Sequence, residues 1–237
     1  ELEHGTHRLA WVQSVTRTRW LVVKLAIVGT GAVTVTAVLS LTFTWWSAPS
    51  DQLGSRIVPG IFAQRGVAPI AYAAFAFVLG VAVGAVIRRT LPAMAATLAG
   101  FLVIRQGIEL WVRPHLLDPV ELKYSTFTFY GDDPPALQAA ERGWVFSTQT
   151  VDNTGQVLSS GGTLRDEAAA ELCGISTANP TKAQLDACGE QLGLDNVVTV
   201  LPADRFWALQ GWEAATFVAL ALAVGAFCFW WVRHRVA

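Results

Sequence analysis

Residues 68–112 read APIAYAAFAFVLGVAVGAVIRRTLPAMAATLAGFLVIRQGIELWV. The first twenty carry no charge, Arg88 and Arg89 interrupt the run, and a second apolar block follows from Leu91 to Val112. At about 1.5 Å rise per residue, blocks of about 20 residues cross the roughly 30 Å hydrocarbon core of a bilayer. Two further blocks of this kind run from Trp20 to Trp46 and from Trp212 to Val232. With 53% hydrophobic and 15% charged residues and a mean hydropathy of +0.42, the chain is more apolar than soluble domains are. The expected fold class is therefore an α-helical integral membrane protein with four transmembrane helices plus a small mixed α/β extracytoplasmic lobe.

Lys and Arg next to membrane helices stay on the cytoplasmic side. Arg8, Arg17, Arg19 and Lys24 flank the first block, Arg88 and Arg89 separate the second from the third, and Arg233 and Arg235 follow the fourth. All three clusters agree, with Arg56 and Arg65 as exceptions. The expected division is a cytoplasmic segment 1–19, spans 20–46, 68–87, 91–112 and 211–232, an outer loop 47–67, an extracytoplasmic domain 113–210 and a cytoplasmic tail 233–237. Between Arg113 and Gln210 there are 13 acidic and 6 basic side chains, a local charge of −7 within a total of −1.

The outer domain holds strand-like stretches at Tyr124 to Phe129, Trp144 to Val151 and Asn196 to Leu201, and a turn at Asp152 to Gly155. Leu164 to Cys173 and Thr181 to Leu192 are helix-like. Cys173 and Cys188 fall in this domain, where an oxidising exterior permits a disulfide; two separate thiols are the alternative. Cys228 lies in the last span. Leu158 to Gly162 reads as a flexible Gly/Ser loop, and the 47–67 loop, with Ile57, Val58, Ile61 and Phe62, is expected along the outer interface.

Several intramembrane residues stand out. Thr36, Ser40 and Thr44 repeat every four positions, either bonding the carbonyl one turn back or lining a transport path. Ala76, Gly80 and Gly84 form a small-residue face suited to helix packing. Arg105 and Glu109, four apart in the third span, are the only ionisable groups singled out within the spans; they pair with each other or meet a substrate. There is no GxxxxGK[ST] phosphate loop, so any ATP is hydrolysed elsewhere. His4 and His7 lack further ligands beside them, and neither a metal site nor a catalytic set emerges. No cofactor and no nucleic-acid partner are expected.

The opening segment is the most specific. Glu1-Leu2-Glu3-His4-Gly5-Thr6-His7-Arg8, followed by Trp11-Val12-Gln13-Ser14-Val15-Thr16-Arg17-Thr18-Arg19-Trp20 and Lys24, resembles the cytoplasmic loop of actinobacterial ATP-binding-cassette (ABC) exporter permeases. Val67 to Ile70, Ile87 to Ala93, Pro202 to Trp207 and Cys228 to Arg233 look like the same group. The resemblance implies a six-span permease of the bacterial plasma membrane, of which these would be the third to sixth spans. It also implies an ABC ATPase partner that binds ATP and Mg, and a second permease copy, identical or paralogous. The short cytoplasmic helix would be a coupling helix, with Glu1, Glu3, Gly5, Thr6, Arg8, Leu9, Trp11, Val15, Arg17 and Arg19 facing the ATPase. The competing reading is a membrane-anchored extracytoplasmic sensor or accessory protein; an ion-driven secondary transporter is a third.

Overall fold

The computed structural model describes residues 17–52, 54–125, 135–161 and 191–235, with isolated positions 171, 174, 181, 184, 187 and 188. Four helices in it are long and apolar enough to cross a membrane, so the expected class holds in its main terms. They are α1 (Arg17–Ser47), α2 (Ala68–Ile87), α3 (Thr90–Gly107) and α5 (Phe206–Arg235). A fifth, α4 (Pro135–Arg142), belongs to the α/β unit. Three helices run past the ends expected for them, α1 by three residues at its start and one at its end. α3 continues through a π-helical turn, Ile108–Val112, and a 3-10 turn, Arg113–His115, while α5 begins at Phe206.

The chain divides into two units. The helical one contains Glu1–Pro49, Gly60–Leu116 and Trp207–Ala237. Its core joins α2 to the extension of α3 and to α5 through Ala68, Ala71, Tyr72, Phe75, Ile108, Phe217 and Ala221. Edge-to-face ring pairs, Tyr72 with Phe217 at 4.6 Å and Phe75 with Phe217 at 5.6 Å, fix the approach. Farther along, Ala82, Ala85, Cys228 and Val232 continue the same α2–α5 contact. Close helix approach also uses Gly29, where a Cβ would meet Phe77 Cε1 at 2.9 Å, and Gly80, where it would lie 3.5 Å from Thr97. Ala76 and Gly84 are partly buried, and a Cβ on Gly84 would meet nothing within 4 Å. Arg88 turns the chain from α2 to α3 with φ 59, its N–H bonded to Gly84 O at 3.0 Å.

The second unit contains Ser50–Pro59 and Leu117–Phe206. Its antiparallel sheet has the order β1-β4-β2-β3, with β1 (Val120–Ser125), β2 (Trp144–Val151), β3 (Val157–Ser160) and β4 (Asp195–Leu201). α4 covers one face, burying Ala140 against Val198 and Val200 with Leu122 and Tyr124 alongside. The other face carries Glu121, Lys123, Ser147 and Gln149 and is exposed, the one-sided burial usual for antiparallel sheets.

The Asp152 turn forms as read. Asp152 Oδ1 accepts from Thr154 N, Thr154 Oγ1 and Gln156 N, and Gly155 supplies φ 84. Leu158 to Ser160 differ from expectation: they belong to β3, because that tight turn brings them into register beside β2, with Ser159 opposite Thr150. In the loop after α1, Ile57 and Phe62 are fully buried, Val58 and Ile61 are exposed, and Ser55 Oγ and Arg56 Nη2 donate to Gly143 O and Ala203 O. Most of the two helix-like stretches between 164 and 192 lies outside the described residues, as does Cys173. Cys188 is buried, and the free thiol among the described residues is Cys228, also buried.

Gly143 sits at the α4–β2 corner, where a Cβ would stand 2.3 Å from Val200 Cγ2 and 2.8 Å from Leu201 O. Gly143→Ala therefore destabilises the protein by about 1–3 kcal/mol, the range for overpacking. The expected readout is a lower thermal unfolding midpoint of the detergent-solubilised chain.

Candidate functional site

The first two turns of α5 place Gln210 and Glu213 three residues apart, hence on one helix face. Both are buried, at 0% and 1% exposure, and each gathers a different part of the helical unit.

Glu213 receives Arg113, which is itself 0% exposed. Arg113 Nε donates to Oε2 at 2.7 Å and Nη2 to Oε1 at 2.7 Å, a bidentate pair. Tyr72 Oη donates to the same Oε1. Glu109 extends the cluster, with Oε1 3.6 Å from Arg113 Nη1 and Oε2 3.7 Å from Arg105 Nη2. The Arg113 guanidinium also stands 4.8 Å from the Phe62 ring centre, and that of Arg105 5.6 Å from the Tyr72 ring centre. Two arginines and two glutamates make the cluster electrically neutral. Arg113 Nη1 is buried without a hydrogen bond, its nearest anion being Glu109.

Gln210 performs the same service for the backbone. Its Oε1 accepts from Val67 N at 3.0 Å and Ala68 N at 2.7 Å, and its Nε2 donates to Phe62 O at 3.0 Å and Arg65 O at 2.9 Å. All four hydrogen-bonding positions of the amide are used. Val67, the N-cap residue of α2, has no side chain able to accept these N–H groups, so a glutamine from another helix caps α2 instead. Gly66, at φ 78, makes the approach possible, since a Cβ there would fall 2.8 Å from the Gln210 amide. From the α1 side, Ser40 Oγ donates to Gly66 O at 2.7 Å and Thr44 Oγ1 accepts from Gly66 N at 2.9 Å.

Of the hydroxyls read as path or structure, Thr36 and Thr44 bond the carbonyls of Ala32 and Ser40 one turn back, and Ser40 reaches Gly66. Arg105 Nη2 and Glu109 Oε2 lie 3.7 Å apart. They are not alone: Arg113, Glu213 and Tyr72 join them. Arg113 is the first residue of the expected outer domain, yet it belongs to the helical unit and bonds Glu213 there. Two signals pointed to it. Arg105, Glu109 and Arg113 repeat at intervals of four, and Glu213 is a lone carboxylate inside an apolar block that needs a cation. Gln210 gave no such signal. Glu1, Glu3, Gly5, Thr6, Arg8, Leu9, Trp11 and Val15 lie outside the described residues; Arg17 opens α1, and Arg19 is exposed. Among the described residues no three His, Cys, Asp or Glu side chains gather to hold a metal.

The arrangement is an anchor. Removing one partner of a buried ion pair leaves an uncompensated charge, at a cost of about 3–5 kcal/mol, whereas replacing both by apolar residues is often neutral. Arg113→Met and Glu213→Leu should each lower thermal stability strongly, and the double variant should recover most of the loss, measured as unfolding midpoints in detergent.

Residues 1–113 match a family model described as ABC-2 membrane transporter related. No curated protein matches the chain, and neither does any solved structure. The matched region holds α1, α2, α3 and the Arg105–Glu109–Arg113 run. The likeness to ABC-2-type membrane transporters thus covers just under half of the chain, which has four helices apolar enough to cross a bilayer.

Proposed function

We propose that the chain is the permease subunit of an ATP-driven ABC exporter, forming the translocation path and coupling to a separate ATPase subunit that binds ATP and Mg. The family match over residues 1–113 carries this reading, because it includes the opening segment as well as three of the four helices. In it, Glu1 to Arg19 is the coupling segment: Glu1, Glu3, Arg8, Arg17 and Arg19 offer charge pairs to the ATPase, and Leu9, Trp11 and Val15 an apolar anchor. A second permease copy, identical or paralogous, completes the transporter.

The three basic clusters support an orientation with the opening segment, the Arg88–Arg89 turn and the C-terminus in the cytoplasm of a bacterium. The acidic α/β lobe is then extracytoplasmic. In that compartment a bond between Cys173 and Cys188 is favoured, consistent with the burial of Cys188. It closes a loop of about 15 residues, worth about 3 kcal/mol in the chain-entropy model. The hydroxyls of Thr36, Ser40 and Thr44 are already committed to bonds within the helical unit, which favours their structural role over a path-lining one.

Purification of the full chain from native membranes in mild detergent tests the assignment. A P-loop ATPase should co-purify, and Glu3→Ala or Arg8→Ala should reduce the ATPase activity of the reconstituted complex several-fold. Absence of any ATPase, with specific ligand binding by the full chain, would establish the sensor reading instead. Blocking free thiols on intact protein, reducing and then labelling should mark Cys173 and Cys188 together; labelling of both before reduction would disprove their bond.

A further inference from the structure

The ion cluster has one accessible end. Glu213 and Arg113 are enclosed, whereas the Glu109 side chain is 16% exposed and that of Arg105 27%. Among the described residues the Arg105 guanidinium makes no hydrogen bond: Glu109 Oε2 stands 3.7 Å away, and the other contact is the Tyr72 ring. Glu109 accepts no hydrogen bond there either, and Arg113 Nη1, 3.6 Å from its Oε1, is buried and donates none. Three charged groups thus meet just beyond hydrogen-bonding reach.

Their depth makes this arrangement costly. Arg105 lies ten residues, about 15 Å along the axis, before the end of the candidate span Thr90–His115. Lipid chains supply no acceptor there, and ionisable groups at such a depth face protein, water or a ligand. Three and seven residues before Arg105, on the same stripe of the helix, come Leu102 and Leu98, both exposed. A guanidinium with free donors therefore sits at the head of an apolar track.

We propose that this edge of α3 binds the anionic group of an amphiphile, a carboxylate or phosphate taken by Arg105, with the apolar tail along Leu102 and Leu98. The planar guanidinium offers paired N–H groups to two oxygens of one anion, its strongest mode of recognition. Tyr72 backs it from α2. Glu109 is the internal competitor for the same donors. When an anion occupies Arg105, Glu109 gives up that neighbour but keeps Arg113, whose Nη1 lacks an acceptor and lies 3.6 Å away. A shift of about 1 Å turns that approach into a hydrogen bond, so the exchange leaves no carboxylate unpaired. A neutral head group would gain little from Arg105, and a cation would be repelled by it. As a statement about what is transported the proposal rests on the permease reading; as a binding site it does not.

Equilibrium binding to the full chain in zwitterionic nanodiscs tests this, with palmitate, hexadecyl phosphate and hexadecanol as probes at alkaline pH, where the fatty acid is ionised. At least one anion should bind saturably and hexadecanol several-fold more weakly; the tighter anion tells a carboxylate head group from a phosphate. Arg105→Gln should weaken anion binding about tenfold, the worth of a charged hydrogen bond, while Arg105→Lys keeps most of it. Glu109→Gln should strengthen it several-fold, a direction that a role confined to holding helices together does not give. Equal binding of hexadecanol, or anion binding that survives Arg105→Gln with an unchanged unfolding midpoint, would overturn the proposal. Where Arg105→Gln folds poorly, Glu109→Gln decides, since unchanged or weaker anion binding there overturns it as well. So does an Arg105→Cys thiol, in a Cys228→Ala background, that no reagent reaches in native membranes, because further protein then closes the edge. An ATPase that co-purifies without anion binding sinks this site and leaves the permease reading intact; anion binding without an ATPase does the reverse.

Discussion

A guanidinium and a carboxylate, both withdrawn from water, hold the helical unit together. Taking either ion out of solvent is expensive, and only close, fully hydrogen-bonded contact offsets the cost. Arg113 and Glu213 meet that demand with two bonds of 2.7 Å, and Tyr72 supplies a third donor to the carboxylate. Because the three residues come from the extension of α3, from α5 and from α2, the requirement for pairing is also a requirement on where those helices stand. The π-helical turn at Ile108–Val112 leads directly into Arg113. A wider turn immediately before Arg113 sets the direction in which its side chain leaves the helix.

One turn earlier on α5, Gln210 imposes a similar constraint on the backbone between Phe62 and Ala68. Where the ion pair is unforgiving of charge, the amide is unforgiving of space: Gly66 must lack a side chain and must adopt a positive φ for the four bonds to form. Ser40 and Thr44 close on the same glycine from α1. The loop from α1 to α2 is therefore set by contacts from two helices, and its own sequence supplies mainly the permission to bend.

The large features were legible in the sequence because they depend on composition summed over many residues. Twenty uncharged residues from Ala68 to Ile87 leave little alternative to a span, and Trp144 to Val151 is built of residues suited to a half-buried strand. Residues whose role depends on a distant partner were harder. Arg113 stands at the expected boundary of the outer domain, and only its bond to Glu213, 100 positions away, shows its role. Gln210 looked like a polar boundary residue, since nothing local shows that four backbone groups lack partners. The Ser and Gly residues of Leu158 to Gly162 suggest a loop, and the strand character of Val157–Ser160 comes from pairing with β2 rather than from its own propensity. Thr36, Ser40 and Thr44 illustrate the reverse: their spacing was plain, but spacing alone cannot separate a hydroxyl that faces a path from one already occupied.

The α/β unit takes in Ser50–Pro59 as well as Leu117–Phe206, and the 57 residues between those pieces include α2 and α3. During synthesis, the first piece emerges long before the carbonyls of Gly143 and Ala203 that receive Ser55 and Arg56. Its ordering must await both helices of the α2–α3 hairpin and then the return of the chain through β4. Membrane insertion and folding of the lobe are thereby placed in sequence. A chain whose hairpin failed to insert would leave the lobe unfinished, with Ser55 and Arg56 without these bonds, so a defect in the bilayer would be displayed on a surface open to proteases and chaperones.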